Sequence, residues 1–129
     1  MANMRESVPI YVQIAESIKD HILDGTLREN EQITSTTVIS KDYDLSIPTV
    51  NKGINLLVNE GLVYKKRGIG MFVARGAVEK IRQRRRDDFY DKYIRSAVAE
   101  AKKLGLSEKE MTELVKRGYG NDSENKEHN

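Results

Sequence analysis

Apolar residues recur every four positions near the start of the chain: Ile10, Ile14, Ile18 and Ile22, with Ala15 and Leu23 widening the stripe. That period predicts a helix over residues 9–24. Pro9 suits its first turn, where a fixed φ helps and the missing amide would be unpaired anyway, and Gly25 is the expected stop. Glu16, Lys19 and Asp20 fall on the outward side. Residues 28–32 read as polar loop. Thr34 or Ser35 can cap a short helix over 35–42 with Val38 and Ile39 inward, and Tyr43-Asp44-Leu45 is a turn. Ser46 then caps a third helix that carries Pro48 in its first turn. Val50, Ile54, Leu57 and Val58 form its buried face, and Gly61 ends it. Residues 62–66 and 71–74 are short strand candidates. Arg67-Gly68-Ile69-Gly70 joins them, its glycines permitting the positive φ of a hairpin tip.

Beyond Gly76 the pattern lengthens. A helix is expected over 77–104, its stripe begun by Val78 and Ile81, interrupted by Arg85, and continued by Phe89, Tyr93, Ala97, Ala101 and Leu104. Gly105 stops it. Ser107 and Glu110 have the spacing of a capping box, which opens a last helix over 107–117 with Met111, Leu114 and Val115 inward and Gly118 at its end. Residues 121–129 lack apolar content and are expected to be disordered. The fold is therefore mainly α with a small β-hairpin. Helix, short helix, helix and hairpin come in the order of a winged helix-turn-helix, expected over residues 1–75. A helical dimerisation region is expected over 76–120. Two helices cannot bury their own apolar face, so Phe89, Tyr93, Ala97, Leu104, Met111 and Leu114 are expected to face a second copy of the chain.

Composition narrows the chemistry. The chain has 129 residues and no cysteine, which removes disulfides, cysteine-bound zinc and thiol catalysis. No apolar run reaches the ~18 residues of a membrane span and no signal peptide is evident, so a cytoplasmic protein without a membrane partner is expected. Only two histidines occur, and His21 lies at the edge of the first apolar stripe. No Ser-His-Asp set, paired carboxylates or metal-spaced cluster appears, so neither an enzyme nor a cofactor is expected. The net charge is only +2, yet it is unevenly spread. Residues 61–95 hold eleven basic and four acidic residues, a net +7 against −5 for the remainder. Such separation points to an anionic partner for the middle of the chain, unless the Arg82 to Arg86 run is only a solvated helix face.

Double-stranded DNA fits that partner. Ser46, Ile47, Pro48, Thr49, Asn51 and Lys52 project from the start of the third helix. Asn can pair bidentately with adenine, and Lys can reach guanine or phosphate. Thr34, Ser35, Thr36 and Thr37 offer consecutive hydroxyls near a helix start, where phosphates are bound by side chain and amide together. Ser35, Ser46 and Thr49 also suit simple capping. Lys65, Lys66 and Arg67 lead into the hairpin, where they can neutralise phosphates or merely guard a strand edge. Gly68 and Gly70 serve the turn, and they would also let the backbone approach a minor groove.

These residues carry a family resemblance. Pro9-Ile10-Tyr11-Val12-Gln13-Ile14-Ala15 resembles the opening helix of GntR-type bacterial transcription regulators, and Ile22-Leu23-Asp24-Gly25-Thr26-Leu27 resembles the end of that helix. Leu45-Ser46, Thr49-Val50, Asn59-Glu60-Gly61-Leu62-Val63 and Arg67-Gly68-Ile69-Gly70-Met71-Phe72-Val73 continue the pattern without a gap. The segment from Ala101 to Ser107, with Met111 and Leu114, is similar to the helix junction of the YtrA-like subfamily, and the remainder is too short for the large effector domains of other subfamilies. The resemblance implies a homodimer on a two-fold operator, acting as a repressor. It also implies contacts by Ser35, Ser46, Lys52 and the wing glycine Gly70. Thr37, Ile47 and Asn51 stand where the family commonly has arginine, which implies fewer guanine contacts and more reliance on the wing and the basic long helix. Two other readings remain: a winged module that binds protein rather than DNA, and a sensor with an effector held between subunits near residues 82–93.

Overall fold

The computed structural model describes residues 7–128. Among those residues six α-helices and one hairpin run in the order α1 (Ile10–Leu23), α2 (Thr36–Tyr43), α3 (Ile47–Asn59), β1 (Val63–Lys66), β2 (Gly70–Val73), α4 (Ala77–Phe89), α5 (Arg95–Lys103) and α6 (Glu108–His128). A π-helical turn, Tyr90–Ile94, separates α4 from α5. The chain divides after Arg85 into two compact units.

The first unit has a single apolar core. Ile14, Ile18 and Ile22 of α1, Val50, Ile54 and Leu57 of α3, Leu62, Val63 and Val73 of the hairpin, and Ala77 and Ile81 of α4 are all buried. The period-four stripe of α1 and the face of α3 are thus the surfaces that pack. They approach closely at Gly53, where an added Cβ would lie 2.8 Å from the Tyr11 carbonyl oxygen. Ser35 caps α2 and Ser46 caps α3, each hydroxyl accepting from the amide three residues on. Asp44 takes a left-handed conformation (φ 55°) that ends α2 and turns the chain into α3.

The hairpin pairs Val63 with Val73 and Lys66 with Gly70 in antiparallel register, and Tyr64 stacks on Phe72 across it. Residues 30–33, read as polar loop and linker, act as a third line of pairing. The Asn30 amide donates to the Val73 carbonyl at 2.7 Å, Ile33 to Met71 at 2.8 Å, and Val73 back to Glu31 at 3.0 Å. Glu29, just before them, accepts from the amides of Gly76 and Val78 at 2.9 and 3.1 Å. A carboxylate from a distant loop therefore caps the start of α4, and those two amides hold its pKa below the ordinary glutamate value.

Several expectations change, among them Val38 of α2 and Val115 of α6, which were expected inward and are exposed. The helix over 77–104 is interrupted by the π turn, where one extra residue rotates the side chains of α5 away from the register of an unbroken α-helix. Lys19, placed outward by sequence, is mostly covered and lies 3.0 Å from Glu60. The last helix does not end at Gly118. It continues to His128, into residues expected to be disordered, while Asn129 lies outside the described residues. The capping box at its start is formed, with Ser107 and Glu110 each accepting from the other's amide. Neither Gly118 nor Gly120 adopts positive φ, and an isolated helical glycine costs only about 1 kcal/mol.

Candidate nucleic-acid interface

The front of α3 is open. Ser46, Ile47, Pro48, Asn51 and Lys52 are exposed, and Thr49 is half-buried. The Ser46 hydroxyl accepts from the Thr49 amide and lies 2.7 Å from the Thr49 hydroxyl, so both are engaged in capping. Asn51 is held: Thr36 donates its hydroxyl to Asn51 Oδ1 at 3.1 Å, and the residue, with its amide NH2 as a donor pair, is exposed. Lys52 lies with its ammonium 4.3 Å from the centre of the Tyr11 ring, a cation–π seat that limits its rotamers. Thr34 and Thr37 are exposed beside the start of α2, and Ser35 caps that helix through its contact with Val38.

The wing presents Lys65, Lys66, Arg67, Gly68 and Ile69 to solvent. Lys66 reaches back over Phe72, 4.7 Å from the ring centre. Gly68 and Gly70 have φ of 78° and 147°, which bears out the glycine reading of the tip. Gly70 has a second constraint: a Cβ there would lie 2.5 Å from the amide nitrogen of Gln32. Gln32 donates through that nitrogen to the Ile69 carbonyl at 3.0 Å and forms a bridge with Phe72.

Wing and α3 front are connected by one short piece of chain. Gln32 touches the wing tip and Thr36 touches Asn51. Four residues can separate their Cα atoms by at most about 15 Å. Residues 32–36 therefore tie the wing tip and the α3 front to one short segment of the first unit. The sequence did not mark Gln32 or Tyr11 as site residues and offered Thr36 only as one of four hydroxyls, because nothing periodic marks these contacts and their partners lie 37, 41 and 15 residues away.

The basic run after the wing is another matter. Arg84 lies 3.0 Å from Glu60, and Arg85 lies 2.8 Å from Asp20 and 3.5 Å from Glu16. These acids come from outside residues 61–95, so folding partly cancels the charge separation seen along the chain. The expected reliance on the long helix for phosphate contacts loses two of its cations, which hold α4 to α1 and to the end of α3. The wing keeps its own.

In the second unit Phe89, Tyr93 and Leu104 are more than half exposed, Ala97 and Leu114 are exposed, and Met111 is half-buried. Phe89 and Tyr93 rings are 5.3 Å apart. Tyr90, Ile94, Val98, Val115 and Tyr119 are exposed as well. The first three are spaced by four residues, a second stripe that the sequence reading passed over. Among the described residues no helix is long and apolar enough to cross a membrane, and no cluster of side chains could hold a metal ion.

Residues 10–73 match the model of the "Bacterial regulatory proteins, gntR family". The chain is 35% identical over 81 residues to the HTH-type transcriptional repressor NagR of Bacillus subtilis, covering 63% of this chain but only 33% of that protein. A putative transcriptional regulator of the GntR family from Bacteroides thetaiotaomicron, known as a crystal structure, is 33% identical, with a TM-score of 0.71 over 88% of this chain and 98% of that one. The DNA-binding domain of AraR, crystallised with the operator ORX1, is 30% identical, with a TM-score of 0.52 over 57% of this chain and 89% of that one. These are regulators and not enzymes. With the helix order, the capped α3 and the glycine-tipped hairpin in place, the chain belongs to the GntR family of bacterial regulatory proteins and carries its winged helix.

Proposed function

We propose that the chain is a DNA-binding transcription regulator, a repressor, acting in the cytoplasm as a homodimer on a two-fold operator. The observation that carries this is the open α3 front joined to the cationic wing by residues 32–36. Asn51 and Lys52 read base edges in the major groove, already oriented by Thr36 and Tyr11. Thr34 and Thr37 serve phosphates, as do the first-turn amides of Thr36 and Ile47 that follow the caps Ser35 and Ser46, with Pro48 and Thr49 lining the same helix start. Lys66, Arg67, Gly68 and Gly70 track the backbone at the adjacent minor groove. NagR is named a transcriptional repressor, and the AraR domain was crystallised on an operator; both support the reading.

The second unit is the dimerisation element, as in the YtrA-like subfamily, with Phe89, Tyr93, Ala97, Leu104, Met111 and Leu114 at its centre. The wide spread of exposed apolar residues on its helices supports this, since such a face in water is costly unless covered. The test is enrichment of duplexes from a random pool by the full chain, then binding across salt. A specific complex prefers the enriched duplex by a large factor and shows a steep negative salt slope. Equal affinity for enriched and random duplex would defeat the proposal.

The absence of arginine at Thr37 and Ile47 favours a second reading, a winged module that contacts protein. It predicts that substituting Asn51, Lys52 and Arg67 leaves function intact.

A further inference from the structure

Gln32 lies in a segment without periodicity, yet its side chain reaches the hairpin tip, whose turn is closed by the Ile69 amide donating to the Lys66 carbonyl at 2.9 Å. The Gln32 side-chain amide donates to the Ile69 carbonyl at 3.0 Å. Ile69 lies between two glycines, at the point where the backbone is freest to move. The amide nitrogen also fills the space in front of Gly70, where a Cβ would come within 2.5 Å of it. Behind it, Gln32 is itself anchored. It bridges to Phe72, and its neighbours Glu31 and Ile33 are bonded to Val73 and Met71. Four residues further on, Thr36 holds Asn51.

We infer that Gln32 is a positioning residue for DNA binding: a neutral side chain that sets where the charged wing tip lies relative to the reading face of α3. The inference rests on the proposal that the wing contacts a duplex. Residues 32–36 are then a spacer with a fixed contact at each end. Gly70 is glycine here because its φ is positive, and the Gln32 amide fills the space that the missing side chain leaves.

The test uses the full chain with a random-sequence duplex of about three helical turns and with a duplex enriched from such a pool. Gln32→Ala and Gln32→Met both remove the donor, and the second keeps the bulk. Each is expected to weaken binding about three- to tenfold, the size of one hydrogen bond's net contribution. Each should also make the salt slope shallower by about one, because a phosphate contact made by Lys66 or Arg67 is lost. A side chain with no charge changes that slope only by moving residues that have one. In a Lys66→Ala/Arg67→Ala background, Gln32→Ala should add no further loss. An unchanged slope, a wild-type affinity for Gln32→Met, or fully additive losses would overturn the strut. If Lys66→Ala/Arg67→Ala itself leaves affinity and slope unchanged, the wing is not at the duplex and the underlying reading goes with it.

Discussion

At Gly53 the backbones of α1 and α3 come too close for a side chain. Alanine there would gain helix propensity of about 1 kcal/mol but would meet the Tyr11 carbonyl at 2.8 Å and Ile14 at 3.3 Å. A carbonyl on a packed helix cannot swing aside, so the crossing itself must open. Gly53→Ala is expected to lower stability by about 1–2 kcal/mol net, measured by urea unfolding. Glu29 acts by charge instead. Its carboxyl is held below the ordinary glutamate value by the amides of Gly76 and Val78. The folded state therefore favours the ionised form. That contribution is complete above the glutamate pKa of the unfolded chain and is lost as pH falls through the lowered folded value. Glu29→Gln should melt at a lower temperature than wild type at pH 7, with the gap closing as pH is taken below the usual carboxylate range. Neither effect is visible in sequence. Gly53 breaks no pattern, and Glu29 reaches its partners across 47 and 49 residues.

Among the elements, the proposed complex with DNA would divide the labour of recognition between α3 and the wing. Asn51 is exposed and its orientation is fixed by Thr36. Asn51→Ala is expected to cost about 1–3 kcal/mol on an enriched duplex and far less on a random one, read by competition titration. Arg67 is at the wing tip with no base edge implied. Arg67→Ala should weaken both duplexes alike and reduce the salt slope by about one. The four main helix caps and breaks near the reading head, Ser35, Ser46, Gly25 and Gly61, are local events, and each was legible from residue type and spacing. The third line of pairing at residues 30–33 was not. Its residues carry no alternation, and it forms only because the hairpin folds back onto a loop some forty residues earlier.

At the scale of the whole molecule, the exposed apolar residues of the second unit bear on the proposed dimer. The helices after Arg85 expose Phe89, Tyr90, Tyr93, Leu104, Val115 and Tyr119 by half or more. If they pair with a second copy, Phe89→Glu with Leu114→Glu should halve the mass found by light scattering at micromolar concentration. The same pair should weaken binding to an enriched two-fold duplex while leaving the first unit's melting temperature unchanged. A wild-type chain that is already monomeric would sink the dimer. Sequence alone determined the first three helices, the caps of α2 and α3, the glycine-tipped hairpin and the packing faces of α1 and α3, because those arise from side-chain period and from the φ values that glycine and proline permit. Tertiary structure decided which polar residues are held and which cations are spent. The contacts of Gln32 with Ile69, Thr36 with Asn51 and Arg85 with Asp20 join residues far apart in the chain, and distance along a sequence carries no information about such pairings until the core has brought them together.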